Sequence, residues 1–575
     1  MHTRLTRMCL LLALAGATTA FADPNDPPAG YYTNATGIGP TLKSNLRTII
    51  STGFISRSYG DARFALPLID RDPNNPNNVI LVYTGQSVPS AWDSGITWNR
   101  EHTWPDSYGN SSGPNYSDYH MLRPCNPSVN SSRGNEPFGL NSASLWDPTQ
   151  PGSPIQYRGE IARTMFYAAT RYGDAGGSTT TGPFILVDSG FSVGVSRMGV
   201  LTSLLAWHFE NPVDERERLR NQRVYSQALN PTYYQNNRNP FVDRPEFVWA
   251  IWGPTPNNSQ LSVATPNAGG ASARTVTFGP VITGAPAFGT QNVVLDKTGV
   301  TPTTYDIIVS GAATSNFSGP RKAFAFNPQS RVLAVGVTTS GVGSYTGTIV
   351  IDNTDLTSAG AGQGANDAND VITVNASILS HASPSFTTPA ATTSRLIDFG
   401  SVPQNSGTHT QPAPVYNLLV TPGLTANLDV DGWIGTPTPA NSSSVFSFSL
   451  PSPVSIAAGS ANSSVVSLDS ANPPGTYQVV YTINTSDQDL PGAIIFAPLT
   501  LTVLGEITAN CPGDLNGDLV VDNLDFVLFA DAYAIFDCSD PLMPAGCPAD
   551  LNADLVVDNA DFAIFAQAYS EFVCP

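Results

Sequence analysis

Three polar clusters stand close together in a chain that is sparing with charge. The run NREHTWP (Asn99–Pro105) sets a guanidinium, a carboxylate and an imidazole side by side, and DYHMLRP (Asp118–Pro124) and NPSVNSSRGN (Asn126–Asn135) follow it. Only 12% of the 575 residues are charged and only six are histidines, so this gathering stands out from the composition. Glu101 and Asn130 offer hard oxygen atoms of the kind Mg²⁺ takes. That ion keeps several waters and is often held by one or two protein groups plus substrate phosphates. A neutral His102 beside it can accept a proton from water, while the metal neutralises charge on the phosphate and the leaving oxygen. These are the parts of a one-metal phosphodiester hydrolase. Neighbouring side chains on a strand point to opposite faces, so a local bend is needed for Glu101 and His102 to serve one site. Asn130 lies 28 residues beyond His102, enough for a returning strand and the start of a helix.

The same stretch resembles the bacterial endonuclease I family of secreted, non-specific nucleases with a ββα-metal motif. The resemblance spans about residues 31–252. GYYTNATGIGPTLKSNLRTII is similar to the family's N-terminal helix region, and NREHTWP, DYHMLRP, SVNSSRGN, YRGEIARTMFY, NPVDERERLRN and NNRNPFVDRPEFV follow in the family's order. It implies that His102 is the general base and that Glu101 and Asn130 hold one Mg²⁺, with Asn135 as the alternative amide ligand. Asp118 and His120 would orient the site from behind. Arg133 would either hold the scissile phosphate or pin its loop, and Arg158 and Arg163 would be structural or contact backbone phosphates. His208, His381 and His409 are read as structural or incidental. The implied activity is Mg-dependent endonucleolytic hydrolysis of DNA, and by extension RNA, with little sequence preference and 5′-phosphate products. The rival readings are a catalytically silent adhesion or scaffold protein and an RNA-specific nuclease of the same fold.

The elements that must position these residues belong to a multidomain chain. YRGEIARTMFYAATRYG and NPVDERERLRNQRVYSQAL have helical periodicity, with Ile161, Met165, Phe166 and Ala169 forming the packed face of the first. Residues 23–255 hold 18 basic and 20 acidic side chains, and 17 of the basic ones are arginine, which suits bidentate phosphate contacts. Residues 256–575 hold 6 basic and 25 acidic side chains, so the net charge of −19 describes the second half and does not exclude a nucleic acid partner for the first. From about 256 to 505, short alternating runs between turns read as strands, and TVTFGPV and LIDFGSV recur 121 residues apart. The expected layout is a signal peptide (1–22, cleaved after Ala22), an α+β nuclease domain with the ββα-metal motif (23–255), two immunoglobulin-like β-sandwiches (256–382 and 383–506) and a small α-helical, duplicated Ca-loop module (511–575). No stretch reads as a membrane span. The chain is expected to be exported, either free outside the cell or attached to its surface.

The last module is a 36-residue repeat: GDLNGDLVVDNLDFVLFADAYA matches ADLNADLVVDNADFAIFAQAYS. Asp514, Asn516, Asp518, Asp522 and Asp525 fall at loop positions 1, 3, 5, 9 and 12, and Asp550, Asn552, Asp554, Asp558 and Asp561 repeat them. With a backbone carbonyl from Val520 or Val556 at position 7, each loop can wrap one Ca²⁺. The module resembles a type I dockerin, which implies two Ca²⁺ ions and a cohesin-like or cell-surface partner; a Ca²⁺-stabilised terminal module without a specific partner is the alternative. Position 6 is Leu519 or Leu555 instead of glycine, which predicts a strained turn, and the following helices open Asn523-Leu524 and Asn559-Ala560 in place of the family's Ser-Thr pair. Cys511/Cys538 and Cys547/Cys574 share one spacing, which suggests one disulfide per repeat, with pairing across the repeats as the alternative.

Overall fold

The computed structural model describes residues 23–140, 144–149, 157–173, 183–192, 196–264, 270–354, 367–509, 511–518 and 520–571. The expected signal peptide, Leu519 and Cys574 lie outside them. No helix among the described residues is long and apolar enough to cross a membrane. The chain divides into two compact units: residues 1–276 with 289–338 and 346–374, and residues 277–288 with 339–345 and 375–575.

The first unit opens with an α/β domain. Its helices are α1 (Gly39–Ser51), α2 (Ala62–Ile69), α3 (Pro127–Arg133), α4 (Tyr157–Arg171), α5 (Leu201–Glu210), α6 (Glu215–Tyr225), α7 (Pro240–Asp243) and α8 (Phe247–Trp252). Short strands pair as three two-stranded ribbons: β1 (Asn78–Ile80) with β2 (Ser87–Pro89), β3 (Asn99–His102) with β4 (Leu122–Cys125), and β5 (Ile185–Val187) with β6 (Arg197–Val200). In α1, Leu42, Leu46 and Ile50 recur every four residues and are all buried, the stripe that lets a surface helix dock. The periodicity of α4 predicts one packed face; in the structure the helix is buried all round except at Arg158. It can be central because Gly159 lets the Asn211 carbonyl approach to within 2.2 Å of where a Cβ would sit.

Burying α4 also buries its charges, and each is paired. Arg123 on β4 reaches Glu160 at 2.6 Å and Asp70 at 3.3 Å, Arg220 reaches Asp70 at 2.8 Å, Arg216 reaches Glu160 at 2.5 Å, and Arg163 reaches Glu217 at 2.6 Å. The arginine richness of this region is therefore in large part internal wiring: Arg123, Arg133, Arg163, Arg171, Arg218, Arg220, Arg223 and Arg238 are all buried. Residues 260–379 supply the strands of a five-stranded and a four-stranded sheet, with alternating burial along Gly343–Asn353 and Asp370–Leu379.

In the second unit a five-stranded sheet pairs Ser394–Pro403 in parallel with Leu499–Thr508, and Leu499–Thr508 antiparallel with Gly475–Asp487. It shares a core that includes Val430, Val466, Leu468, Ile483 and Leu501 with smaller three-stranded sheets. His381 bonds Asp487 and His409 bonds Ser406. The unit ends in two helices, Asn523–Ile535 and Asn559–Glu571, packed through Phe529 and Phe565 with ring centroids 4.8 Å apart. The expectation of one disulfide per repeat fails: Cys538 pairs with Cys547, nine residues on, and so joins one copy to the next. The loop between the helices brings these two Cα atoms to 5.4 Å, within disulfide range. Cys511 is also disulfide-bonded.

Replacing Glu160 by alanine would leave Arg123 and Arg216 without their shared carboxylate. The expected loss is roughly 3–5 kcal/mol of stability, the usual cost of breaking a buried pair, read from urea unfolding of the intact chain.

Candidate functional site

The site is built on the β3–β4 ribbon and the helix that follows it. The ribbon registers Glu101 opposite Arg123 and His102 opposite Leu122. Helix α3 starts at once, because the Asn126 side chain accepts from Ser128 N–H and Val129 N–H and Pro127 occupies the first turn. Asn130 donates its Nδ2 to Asn99 Oδ1 at 2.8 Å. One turn later, Arg133 Nη1 lies 3.5 Å from Glu101 Oε1. Asn99 and Glu101 are two residues apart on β3 and share a face, so α3 lies across that face and carries Asn130 to it. Glu101 is buried and takes the Tyr83 hydroxyl on Oε1 at 2.7 Å. Burial pushes its carboxyl pKa up, against the pull of Arg133 and Tyr83. Among the described residues, Glu101 Oε2 and Asn130 Oδ1 carry no hydrogen bond.

His102 leaves the strand on the other side, with Arg100. Its Nε2 is 2.9 Å from the Tyr116 carbonyl. A carbonyl can only accept, so neutral His102 carries its hydrogen on Nε2 and keeps the Nδ1 lone pair. The rings of Tyr116 and Tyr59 stack on it at 4.7 and 5.2 Å. Burial pushes its pKa down, which favours the neutral imidazole. The strand ends at His102, and the chain bends at Thr103 and Trp104.

The remaining expected residues fall differently. Arg133 is buried, with Nη1 on the Gly134 carbonyl at 3.1 Å and Nη2 on the Thr103 carbonyl at 2.9 Å. Of its two expected roles, these contacts serve the pinning one. Among the described residues, no hydrogen bond, ion pair or ring contact joins Asp118 or His120 to Glu101, His102 or Asn130. Asp118 Oδ2 takes the hydroxyls of Tyr167 and Tyr172 at 2.7 and 2.8 Å, and His120 Nε2 meets the Asn237 carbonyl at 3.2 Å; burial holds the His120 pKa down at about 4. They brace the β3–β4 connection against α4 from inside. Asn135 is exposed. Arg158 pairs with Asp147 and Arg163 with Glu217, and His208 is buried against the Pro245 carbonyl.

Comparison with known proteins bears on the same stretch. The profile described as Endonuclease I matches residues 38–246. An extracellular ribonuclease of Bacillus amyloliquefaciens is 38% identical over 265 residues, covering 42% of this chain and 87% of the relative. One from Bacillus subtilis (strain 168) is 39% identical over 261 residues, covering 42% and 83%. The chain belongs to the Endonuclease I family. It is thus a nuclease by family, and the β3–β4–α3 unit lies inside the matched region. Within this Endonuclease I domain, spacing alone does not point to Tyr83, Tyr116 or Tyr59: each reaches Glu101 or His102 from a separate loop or turn. Asn99 and Arg100 were visible in NREH but carried no assigned role.

The acidic repeats lie outside that match. In the first loop, ligand oxygens of Asp514, Asp518 and Asp525 all lie within 4.8 Å of one another, and in the second those of Asp550, Asp554 and Asp561 do the same. Asn516 and Asn552 donate to Asp518 and Asp554 at 3.0 and 2.9 Å. Asp525 and Asp561 are fully buried and accept loop amides, among them those of Leu515 and Leu551, both at 2.7 Å. Asp522 and Asp558 bond the amides of Leu524 and Ala560 at the starts of the helices, and Val520 and Val556 donate their amides to Asp518 and Asp554. Asn523 and Asn559, which open the two helices, are engaged reciprocally: Tyr533 donates to Asn559 at 2.6 Å and Tyr569 to Asn523. The expected strain at position 6 is present, with Leu555 at φ +71° and its side chain exposed. Leu555→Gly should relieve about 1 kcal/mol, seen as slower hydrogen exchange of the Leu551 and Asn552 amides.

Proposed function

We propose that this protein is a secreted, metal-dependent endonuclease that cuts RNA and DNA with little sequence preference, and that His102, Glu101 and Asn130 form its active centre. One observation carries the reading. Helix α3 sets Asn130 on the Glu101 face of β3, and each of the two leaves one oxygen without a partner among the described residues, while His102, the next residue and the last of the strand, keeps an Nδ1 lone pair because its Nε2 is engaged by the Tyr116 carbonyl. A carboxylate and an amide oxygen are a hard donor pair that suits Mg²⁺. When bound, the ion would neutralise charge on the phosphate. His102 Nδ1 takes the proton from the attacking water. Arg133 positions both strand and helix, and Tyr83 fixes which carboxylate oxygen of Glu101 stays open. The names of the two Bacillus relatives support RNA as a substrate and export as the setting.

Two immunoglobulin-like sandwiches and a dockerin-like tail complete the proposed layout, within the boundaries given above. In the tail, three carboxylates per loop gathered within 4.8 Å of one another favour one Ca²⁺ each. A cohesin-like partner would meet Asn523 and Asn559, which are exposed at the helix starts and hydrogen-bonded to Tyr569 and Tyr533.

His102→Ala should lower kcat roughly 10²–10⁴-fold on RNA and on plasmid DNA digested in parallel with Mg²⁺, and chelation should stop the wild type. Full-rate nicking by the variant, or equal rates in a chelator, would refute the assignment. For the tail, calorimetric Ca²⁺ titration should count two sites in the intact chain and one in Asp561→Asn.

A further inference from the structure

The cut strand needs cations to hold its phosphates, and the fold has few to spare. Eight arginines of the Endonuclease I domain are buried, Arg133 among them, and no lysine or arginine lies between Arg100 and Arg123 in the sequence. Arg100 is different from the buried set. It is half-buried and lies two residues before His102 on β3, so both side chains share one face of the strand. Its guanidinium sits 3.7 Å from the centroid of the Tyr59 ring and 5.1 Å from that of Trp92. Nη1 donates to the Tyr59 carbonyl at 2.6 Å, and Nε is buried without an acceptor. Among the described residues it has no carboxylate within ion-pair distance, whereas Arg123, Arg163, Arg216, Arg220 and Arg238 each have one.

We propose that Arg100, clamped by Trp92 and Tyr59, binds a backbone phosphate of the nucleic acid next to the one that is cut. The inference rests on the His102-centred reading above and adds a substrate subsite to it. Tyr59 touches both groups: its ring is 3.7 Å from the guanidinium and stacks on His102 at 5.2 Å. One aromatic ring thus contacts both groups, and one short stretch of backbone can lie across them. Aromatic packing holds the planar fork in place before substrate arrives, so less side-chain freedom is lost on binding. A positive group already partly stripped of water and left without a counter-ion favours an anion, and the phosphodiester is the anion the substrate brings.

The test compares an RNA dinucleotide, which has one phosphodiester and no neighbouring phosphate, with a tetranucleotide. Arg100→Ala should lower kcat/KM on the tetranucleotide at least tenfold more than on the dinucleotide, with Arg100→Lys recovering part of the difference. In a His102→Ala background, binding of a labelled tetranucleotide should lose about one phosphate's worth of salt dependence, a change of about 0.7 in the log–log slope for a single strand. Equal losses on both substrates, or an unchanged slope, would overturn the proposal. If Arg100→Ala does not fold, Arg100→Met keeps the stem over Tyr59 and its binding slope decides in the same way. Failure of the nuclease reading looks different: His102→Ala would then cut as fast as the wild type on both substrates.

Discussion

One buried guanidinium ties the candidate centre together. Arg133 is almost fully buried, and a charge in that position is tolerated only if it is surrounded by acceptors. It finds them at the end of β3, in the carbonyls of His102 and Thr103 and the carboxylate of Glu101, and at the end of its own helix, in the Gly134 carbonyl. The Phe138 ring packs against it at 4.8 Å. Each contact fixes α3 relative to the last residues of the strand. Asn130 sits one turn earlier on that helix, so its approach to β3 follows from the same lock. Without the lock, the two oxygen donors would belong to separate pieces of chain. The buried guanidinium is thereby committed to Glu101 and to the backbone around the strand end.

The same economy governs the rest of the domain. Arginine greatly outnumbers lysine, and eight of its seventeen copies run through the interior, where a planar fork can satisfy two acceptors at once. Asp70, Glu160 and Glu217 are shared among Arg123, Arg163, Arg216 and Arg220 around α4. A domain wired in this way keeps a nearly balanced charge and presents no broad basic field to a polyanion. Arg100 stands apart from this internal network, held by aromatic packing at Tyr59 and Trp92.

The terminal module follows a different logic, that of duplication. Each copy supplies one acidic loop and one helix, and neither could bury its phenylalanines alone. The copies interlock through Phe529 on Phe565, through the exchanged Tyr–Asn hydrogen bonds and through a disulfide that spans the boundary between repeats. The loops gather three carboxylates each around one point. The amides that Asp525 and Asp561 accept hold that geometry in place.

By itself the sequence determined what depends on neighbours along the chain. The NREH strand, the Asn-Pro start of α3, the order of the motifs and the ligand spacing of the two loops are local patterns, and local sterics and capping fix them. Even the strained position at Leu555 was legible, because a loop that turns there needs a left-handed residue whatever occupies it. The tertiary structure decided what depends on residues distant in sequence. Tyr83 reaches Glu101 across 18 positions and Tyr116 reaches His102 across 14, and no periodicity records such meetings. It also decided a pairing that spacing left open, joining Cys538 to Cys547 across the repeats, and it gave Arg133, Asp118 and His120 their buried partners. The reason is physical. Residue type says what a side chain can do, whereas burial and the acceptors within about 3 Å decide what it does, and only packing supplies those.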